Sequence, residues 1–387
     1  MQVRYYQLDT MRGLAALAVV IHHCLMIPSS FDTTTLAFLL NKTPMGIIQV
    51  GGEAVAIFFI LSGFVLALPF LERPVPYGQY MVKRVCRIWL PYMVAVIMAI
   101  ILVLTVSRGR IPELGDWFNS TWTTPITTSL VMNHVFLIGA FNTDTLNGPF
   151  WSLVHEMRVS IIFPFIPLLV IRFSYKKTIP LAIFLMAVGM LLSYFLWSKM
   201  GVYANFFLTV NVIGLFIIGA LIAKERQAII NWFSFRSYSI KVSLLVISIL
   251  LFTVNYWTSL IYSQHIYGES FVKMWFYDAG AALLLIIAIS STSLTRILTW
   301  RPLHFLGLIS FSIYLLHANV LWGYVHLLYQ KIPMWQIWLL TIATTILLAT
   351  ISYYLVERPS IKLGHYLANK IYPQSGAIKS TMPNTPK

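Results

Sequence analysis

Arg12-Gly13-Leu14-Ala15-Ala16-Leu17-Ala18-Val19-Val20-Ile21-His22-His23 is an apolar helical run with an arginine at one end and a histidine pair at the other. It belongs to an apolar window over residues 10–27, of a length that spans a bilayer. An ionisable side chain there costs about 2.5 kcal/mol or more, so it marks a functional site with a partner. At about 100° per residue, Arg12 and His23 lie about 20° apart around the helix and roughly 16 Å apart along it. His22 points to another side.

The whole chain has the same character. Of its 387 residues, 58% are apolar and 10% charged, and the mean hydropathy is +0.78. One aqueous core cannot bury that much apolar surface, so the composition predicts a polytopic membrane protein. Apolar windows fall at residues 10–27, 50–70, 88–106, 150–171, 179–197, 205–223, 240–258, 274–290, 305–326 and 335–355. The predicted fold is therefore an all-α bundle of about ten spanning helices. A further stretch, residues 127–141, is short and contains Asn133 and His134, which predicts a partly inserted or surface helix. With both termini in the cytoplasm, twenty basic residues lie inside and six outside, as the positive-inside rule requires. A full crossing at residues 127–141 would invert every later loop and break that rule.

The net charge of +15 is spread over short loops, so it points to orientation and lipid headgroups rather than nucleic acid. Cys24 and Cys86 fall at different depths, which predicts neither a disulfide framework nor a metal cluster. No small-residue cleavage site follows the first apolar run, so that helix is expected to stay as an anchor. Residues 1–369 are read as one membrane domain. Residues 370–387, with Pro373, Ser375, Gly376 and Pro383, are read as a short disordered cytoplasmic tail.

Several polar residues stand out against this background. His23 fits two uses, a hydrogen bond to a neighbouring helix or a catalytic base. Asp9 and Arg12, three residues apart, can pair at the mouth of the first helix, or Arg12 can hold an anionic ligand there. Ser62 and Gly63 in the second span allow close approach of a helix or a ligand, packing being the simpler use. Arg84 and Arg87 share a helix face beside Lys83; two guanidinium forks suit a phosphate-bearing ligand, and lipid headgroups are the alternative. In Asn147-Gly148-Pro149-Phe150-Trp151-Ser152-Leu153-Val154-His155-Glu156-Met157-Arg158, a tight turn opens the fourth span and Trp151 sits at interface depth. Glu156, roughly 7 Å further in, needs a partner among Arg158, His155 and His23. It either orients a histidine for general-base chemistry or forms a structural salt bridge. Ser310, Tyr314 and His317 fall on nearly one face of the ninth span, a polar stripe that should face the bundle interior. Val356-Glu357-Arg358-Pro359 reads as a structural stop.

Taken in order, these motifs resemble the acyltransferase-3 family of integral membrane acyltransferases, mostly bacterial, which modify sugars and other hydroxylated molecules. The resemblance runs from Leu8-Asp9 to Val356-Glu357-Arg358-Pro359. It rests on Asp9 with Arg12-Gly13 and His23; Phe58-Phe59 with Ser62-Gly63-Phe64; Arg84 with Arg87; Trp151-Ser152-Leu153 with Glu156; and Ser312-Ile313-Tyr314-Leu315 with His317. It implies that Arg12, His23, Arg84 and Arg87 are required for activity and that cytoplasmic acyl-coenzyme A is the donor. Some relatives carry a fused extracytoplasmic esterase-like domain; this chain is expected to finish transfer without one or with a separate partner. Met157, Arg158 and Val159 depart from the aromatic residues that often follow the glutamate, so the acceptor pocket does not carry over.

The resulting expectation is an O-acyltransferase in a bacterial inner or plasma membrane. It moves an acetyl or other short acyl group from acyl-coenzyme A to a hydroxyl of a glycan or glycolipid, without a metal and without nucleic acid as partner. His23 and Glu156 would be catalytic, and Arg12, Arg84 and Arg87 would bind the coenzyme. Asp9, Ser62, Trp151, Ser310, Tyr314 and His317 would complete a polar site. The competing class is a transporter or flippase with the same residues forming a proton or substrate path. Its best sign, interrupted helices in matching halves, is not visible in the sequence.

Overall fold

The computed structural model describes residues 5–27, 43–261 and 269–372, and every regular element among them is helical. The first three long helices are α1 (Tyr6–Met26), α2 (Gly51–Glu72) and α3 (Tyr77–Val106). The stretch at residues 127–141 forms only α4 (Thr128–Phe136). Its N-terminus is closed by the Thr127 hydroxyl, which accepts from the Leu130 amide at 3.2 Å, and its C-terminus by Leu137 at φ 58°. Nine residues rise about 13 Å, less than half a bilayer core.

Pro149 starts the turn into α5 (Trp151–Ile162), which bends by 63° into α6 (Phe165–Arg172) where Pro164 supplies no amide to the ladder. Then α7 (Tyr175–Met200) reverses at Gly201, φ +54°, into α8 (Asn205–Ser234). The Asn211 side chain of α8 donates to the Met186 carbonyl of α7 at 3.1 Å, fixing the two as an antiparallel pair. The remaining helices are α9 (Tyr238–Phe252), α10 (Val254–Ile261), α11 (Glu269–Ser290), α12 (Thr292–Leu298), α13 (Arg301–Leu308), α14 (Ser310–Leu328), α15 (Met334–Ser352) and α16 (Arg358–Ile371).

Seven helical stretches are long and apolar enough to cross a membrane, or eight if the bent pair α5–α6 counts as one span. The expected number of about ten is not reached by that measure, for two physical reasons. Residues 175–234 form one 60-residue apolar stretch although it folds back at Gly201, and the window at 240–258 yields only the fifteen-residue α9 before the helix breaks at Thr253. The expected stop at Glu357-Arg358-Pro359 is also corrected. A π-helical turn, Tyr353–Glu357, carries the chain directly into α16, and Pro359 takes a first-turn position where its missing amide costs nothing. Lys370 and Ile371 therefore close a helix rather than open a tail; residues 373–387 lie outside the described residues.

At the centre stands α14, buried along almost its whole length, with α1, α3 and α15 around it; α2 bridges α1 to α8 and α11. Two small-residue contacts set these distances. A Cβ on Gly13 would stand 2.6 Å from the Gly307 nitrogen, so α1 and α13 meet backbone to backbone. Gly63 lies as closely on the Phe216 backbone of α8, which is the packing use expected of it. The result is a rigid central α1 with one end at Arg12 and the other at His23.

Candidate active site

The last turn of α1 brings His23 against α14. Its Nδ1 is 2.9 Å from Nε2 of His317, and the rings stack at 5.1 Å with 13° between their planes. On the other face lies Trp117, 5.6 Å away and within 11° of parallel. His317 is fully buried, and its Nδ1 sits 2.8 Å from the Tyr314 carbonyl. A carbonyl only accepts, so Nδ1 of His317 carries the proton and its Nε2 is a bare acceptor. Nδ1 of His23 must then be the donor, which leaves Nε2 of His23 unprotonated on a half-buried ring, with no hydrogen-bond partner among the described residues. His22 turns away to the Gln49 carbonyl at 3.0 Å.

Tyr314 anchors this pair. Its hydroxyl donates to the Pro149 carbonyl at 2.9 Å and lies 2.7 Å from the Ser152 hydroxyl, tying the start of α5 to α14. One turn further along α14, Asn319 accepts from Asn147 at 2.8 Å and donates to the Ala95 carbonyl at 2.9 Å. Three helices are thus clamped around the dyad by buried hydrogen bonds, each worth about 0.5–1.5 kcal/mol and costlier to leave half-made.

Charged residues gather at the other end of α1. Arg84 pairs with Glu156 at 2.8 Å and donates twice to the Ser160 hydroxyl, at 3.1 and 3.0 Å. The Ser62 hydroxyl approaches the same carboxylate at 3.5 Å. Arg12 lies within electrostatic reach of Arg87, Asp9, Glu156 and Arg84. Arg87 is exposed, and it and Arg12 face the buried carboxylate of Glu357, which accepts from the Ser312 hydroxyl at 2.9 Å. One end of α1 therefore carries a cluster of charged side chains and the other the histidine pair, within an apolar bundle.

A family model described as an acyltransferase domain matches residues 5–355 of this chain. The chain belongs to the acyltransferase-3 family. No curated protein and no solved structure matches it. With its apolar spanning helices, this acyltransferase-3 protein is an integral membrane acyltransferase.

Several sequence expectations for this acyltransferase change once the partners are seen. Glu156 pairs with Arg84, not with Arg158, His155 or His23, so it does not orient the histidine ring. The orienting role falls to His317. Arg84 is 7% exposed and already bonded on two of its three nitrogens, so of the expected arginine pair only Arg87 presents an open fork. Arg158 clamps the segment after α4, donating to the Ile138 and Gly139 carbonyls at 3.0 and 2.6 Å and lying over the Phe206 ring. His155 is buried against the Thr209 hydroxyl at 2.9 Å. Ser310 does not join Tyr314 and His317, because its hydroxyl donates to the Gly307 carbonyl at 2.8 Å across the α13–α14 junction. Trp151 is half-buried against Phe59 and His155.

Two residues of the site escaped the sequence reading, as did the role of a third. Trp117 comes from the four-residue helix Asp116–Asn119, too short to show a periodicity. Ser312, seen in the sequence only as part of the Ser312-Ile313-Tyr314-Leu315 motif, donates to Glu357. Glu357 was hidden in an apparent stop; an acidic residue closing an apolar helix opposite basic loops was the available signal.

Proposed function

We propose that this acyltransferase moves an acetyl or similar short acyl group from acyl-coenzyme A to a hydroxyl of a glycan or glycolipid, with His23 as the base. The observation that carries the reading is the His23–His317 hydrogen bond, which directs the proton of His23 to Nδ1 and so supports an unprotonated Nε2. In this account Nε2 takes the proton of the acceptor hydroxyl as its oxygen attacks the thioester carbonyl. The new C–O bond forms, the C–S bond breaks, and the same proton passes to the departing thiolate. His317 steadies the transient imidazolium by accepting from Nδ1. If His23 instead carries the acyl group, its unprotonated Nε2 is the ring atom that bonds it.

Arg12 and Arg87 suit the coenzyme phosphates. Both face a mouth bordered by Glu357 and Asp9, whose carboxylates limit how much positive charge stands free. Arg84 and Glu156 support that mouth as a pair rather than binding a phosphate. The length of α1 between Arg12 and His23, roughly 16 Å, matches the task of an extended pantetheine arm that anchors at one end and presents its thioester at the other. The arginine end would face the cytoplasm of a bacterial plasma membrane, with both termini on that side.

The test is transfer itself. Purified protein in liposomes is given acetyl-coenzyme A labelled in the acetyl group together with a glycan and glycolipid extract of membranes. Label should appear in an alkali-labile ester on the extract. Vesicle transport of an extract component without any coenzyme requirement, and without ester formation, would support the transporter reading instead.

A further inference from the structure

A second group of buried acidic side chains lies at the dyad end of the bundle. Glu53, near the start of α2, is 3% exposed and accepts from the Asn255 amide of α10 at 2.5 Å. Asp278 of α11 is 5% exposed, and its Oδ1 has no hydrogen-bond partner among the described residues. Tyr277 lies within electrostatic reach of both carboxylates. A buried carboxylate oxygen without a donor is costly inside a membrane bundle and marks a functional site. Neither the dyad nor the arginine mouth uses it.

Asp278 lines a cavity of about 50 Å³ together with Gly52, Trp151, Asn211 and Tyr277. At Gly52 no described residue lies within 4 Å of where a Cβ would stand, so the α2 side of that glycine is open among the described residues. The volume suits a hydroxyl-bearing edge rather than a whole sugar ring. Carboxylate and amide acceptors beside indole and phenol rings are the chemistry that binds polyhydroxylated groups, through O–H donors and apolar C–H faces. Among the described residues no three His, Cys, Asp or Glu side chains converge as a metal cage, which disfavours a cation there.

The cavity is not isolated. Leu208 and Met274 line it and also line a groove of about 560 Å³ formed by α7, α8 and α11, whose walls include the outward-facing Tyr194, Phe195 and Trp197. An outward-facing apolar groove thus leads into a small, mostly apolar chamber whose polar groups are those of Asp278, Asn211 and Tyr277. The chamber wall in turn leads to the dyad: Trp151 precedes Ser152, which bonds Tyr314, whose ring lies 5.8 Å from that of His317.

We infer that this groove and cavity admit the acyl acceptor from the membrane, and that the acceptor is an amphiphile, a polyhydroxylated headgroup on a long hydrocarbon chain. The chain lies along Tyr194, Phe195 and Trp197. A headgroup hydroxyl donates to Oδ1 of Asp278 beside Trp151. This rests on the acyl-transfer reading above and adds the class of acceptor and its route, which runs sideways from the lipid while the coenzyme comes from the arginine end.

The experiment uses the full chain in lipid nanodiscs with tritiated dodecyl β-D-glucoside as the probe, methyl β-D-glucoside and dodecanol as competitors, and acetyl-coenzyme A hydrolysis followed in the same preparation. Saturable binding is expected, at least tenfold weaker in Asp278→Asn and in Leu208→Trp, which fills the junction without touching the carboxylate. Asp278→Glu should recover part of the loss, and each competitor should act at least a hundredfold less well than the unlabelled probe. Equal competition by dodecanol would reduce the groove to a lipid contact, and equal competition by methyl glucoside would make the acceptor a soluble sugar. No saturable binding by a preparation that hydrolyses acetyl-coenzyme A would overturn the inference alone. Absence of acetyl transfer from labelled acetyl-coenzyme A to the membrane extract by the parent protein would remove the acyl-transfer reading and this inference with it.

Discussion

Replacing His317 by Phe should cripple the chemical step while leaving coenzyme binding intact. The variant keeps a flat ring against His23 and removes only the acceptor that holds its Nδ1 proton. Two consequences follow. The imidazole is free to place its proton on either nitrogen, so part of the population presents no lone pair at Nε2. The imidazolium formed in the transition state also loses a hydrogen bond to a charged group, worth about 1.5–3 kcal/mol. That energy corresponds to a fall in kcat of roughly 10- to 150-fold. His317→Gln, whose amide oxygen can still accept, should recover part of the loss. KM for acetyl-coenzyme A should stay within about twofold for both, because the arginines stand roughly 16 Å away along α1. Steady-state kinetics on purified protein measures both constants. A kcat within threefold of the parent in His317→Phe, or a KM change larger than the kcat change, would refute the relay.

Other consequences are equally direct. Arg84→Met leaves Glu156 without its partner and should lower stability by about 3–5 kcal/mol, most of it restored in Arg84→Met/Glu156→Leu; chemical unfolding of both variants checks this, and a stable single variant would contradict it. Arg87→Ala should instead raise KM for acetyl-coenzyme A at least tenfold with little effect on stability, and an unchanged KM would remove Arg87 from the coenzyme site. Gly307→Val forces a side chain into the α1 backbone and should cost at least about 1–3 kcal/mol; an unaltered melting temperature would mean that α1 and α13 do not touch. His134 of α4 is fully enclosed, its Nδ1 2.5 Å from the Tyr92 hydroxyl, and burial pushes it down to about 4. A histidine held neutral in this way contributes stability above the unfolded value near 6.5, and the contribution is lost as pH falls towards 4. The loss amounts to about 3 kcal/mol relative to His134→Gln. Parallel stability curves for the two proteins from pH 7 to 4 would contradict this.

The helices were legible because apolar length alone betrays a spanning segment, and each of the ten windows falls on helix. Residues that a membrane does not tolerate unpaired, namely Arg12, His23 and Glu156, were legible for the same reason, and Arg84 as one of two guanidinium forks on one helix face. Their partners were not. A sequence shows that Glu156 needs a cation but not that a neighbouring helix offers Arg84 before Arg158, because that choice depends on how α3 and α5 cross. Ser310 fell on the expected face of α14, yet it stands at a helix junction, where the open Gly307 carbonyl captures its hydroxyl. At Glu357 the proline rule misled: Pro359 reads as a break, but the π-helical turn before it turns the break into a helix start and buries the carboxylate. Trp117 lies on a connecting segment, where no periodicity announces which side chain turns inward.

The most direct measurement compares His23→Ala with the parent protein, both purified in lipid and given labelled acetyl-coenzyme A, following release of the coenzyme thiol and the fate of the acetyl label. The account predicts that the variant still binds the coenzyme at the arginine end but neither hydrolyses nor transfers at more than about one-hundredth of the parent rate. Equal rates in the two proteins would contradict it, whatever else the site contains.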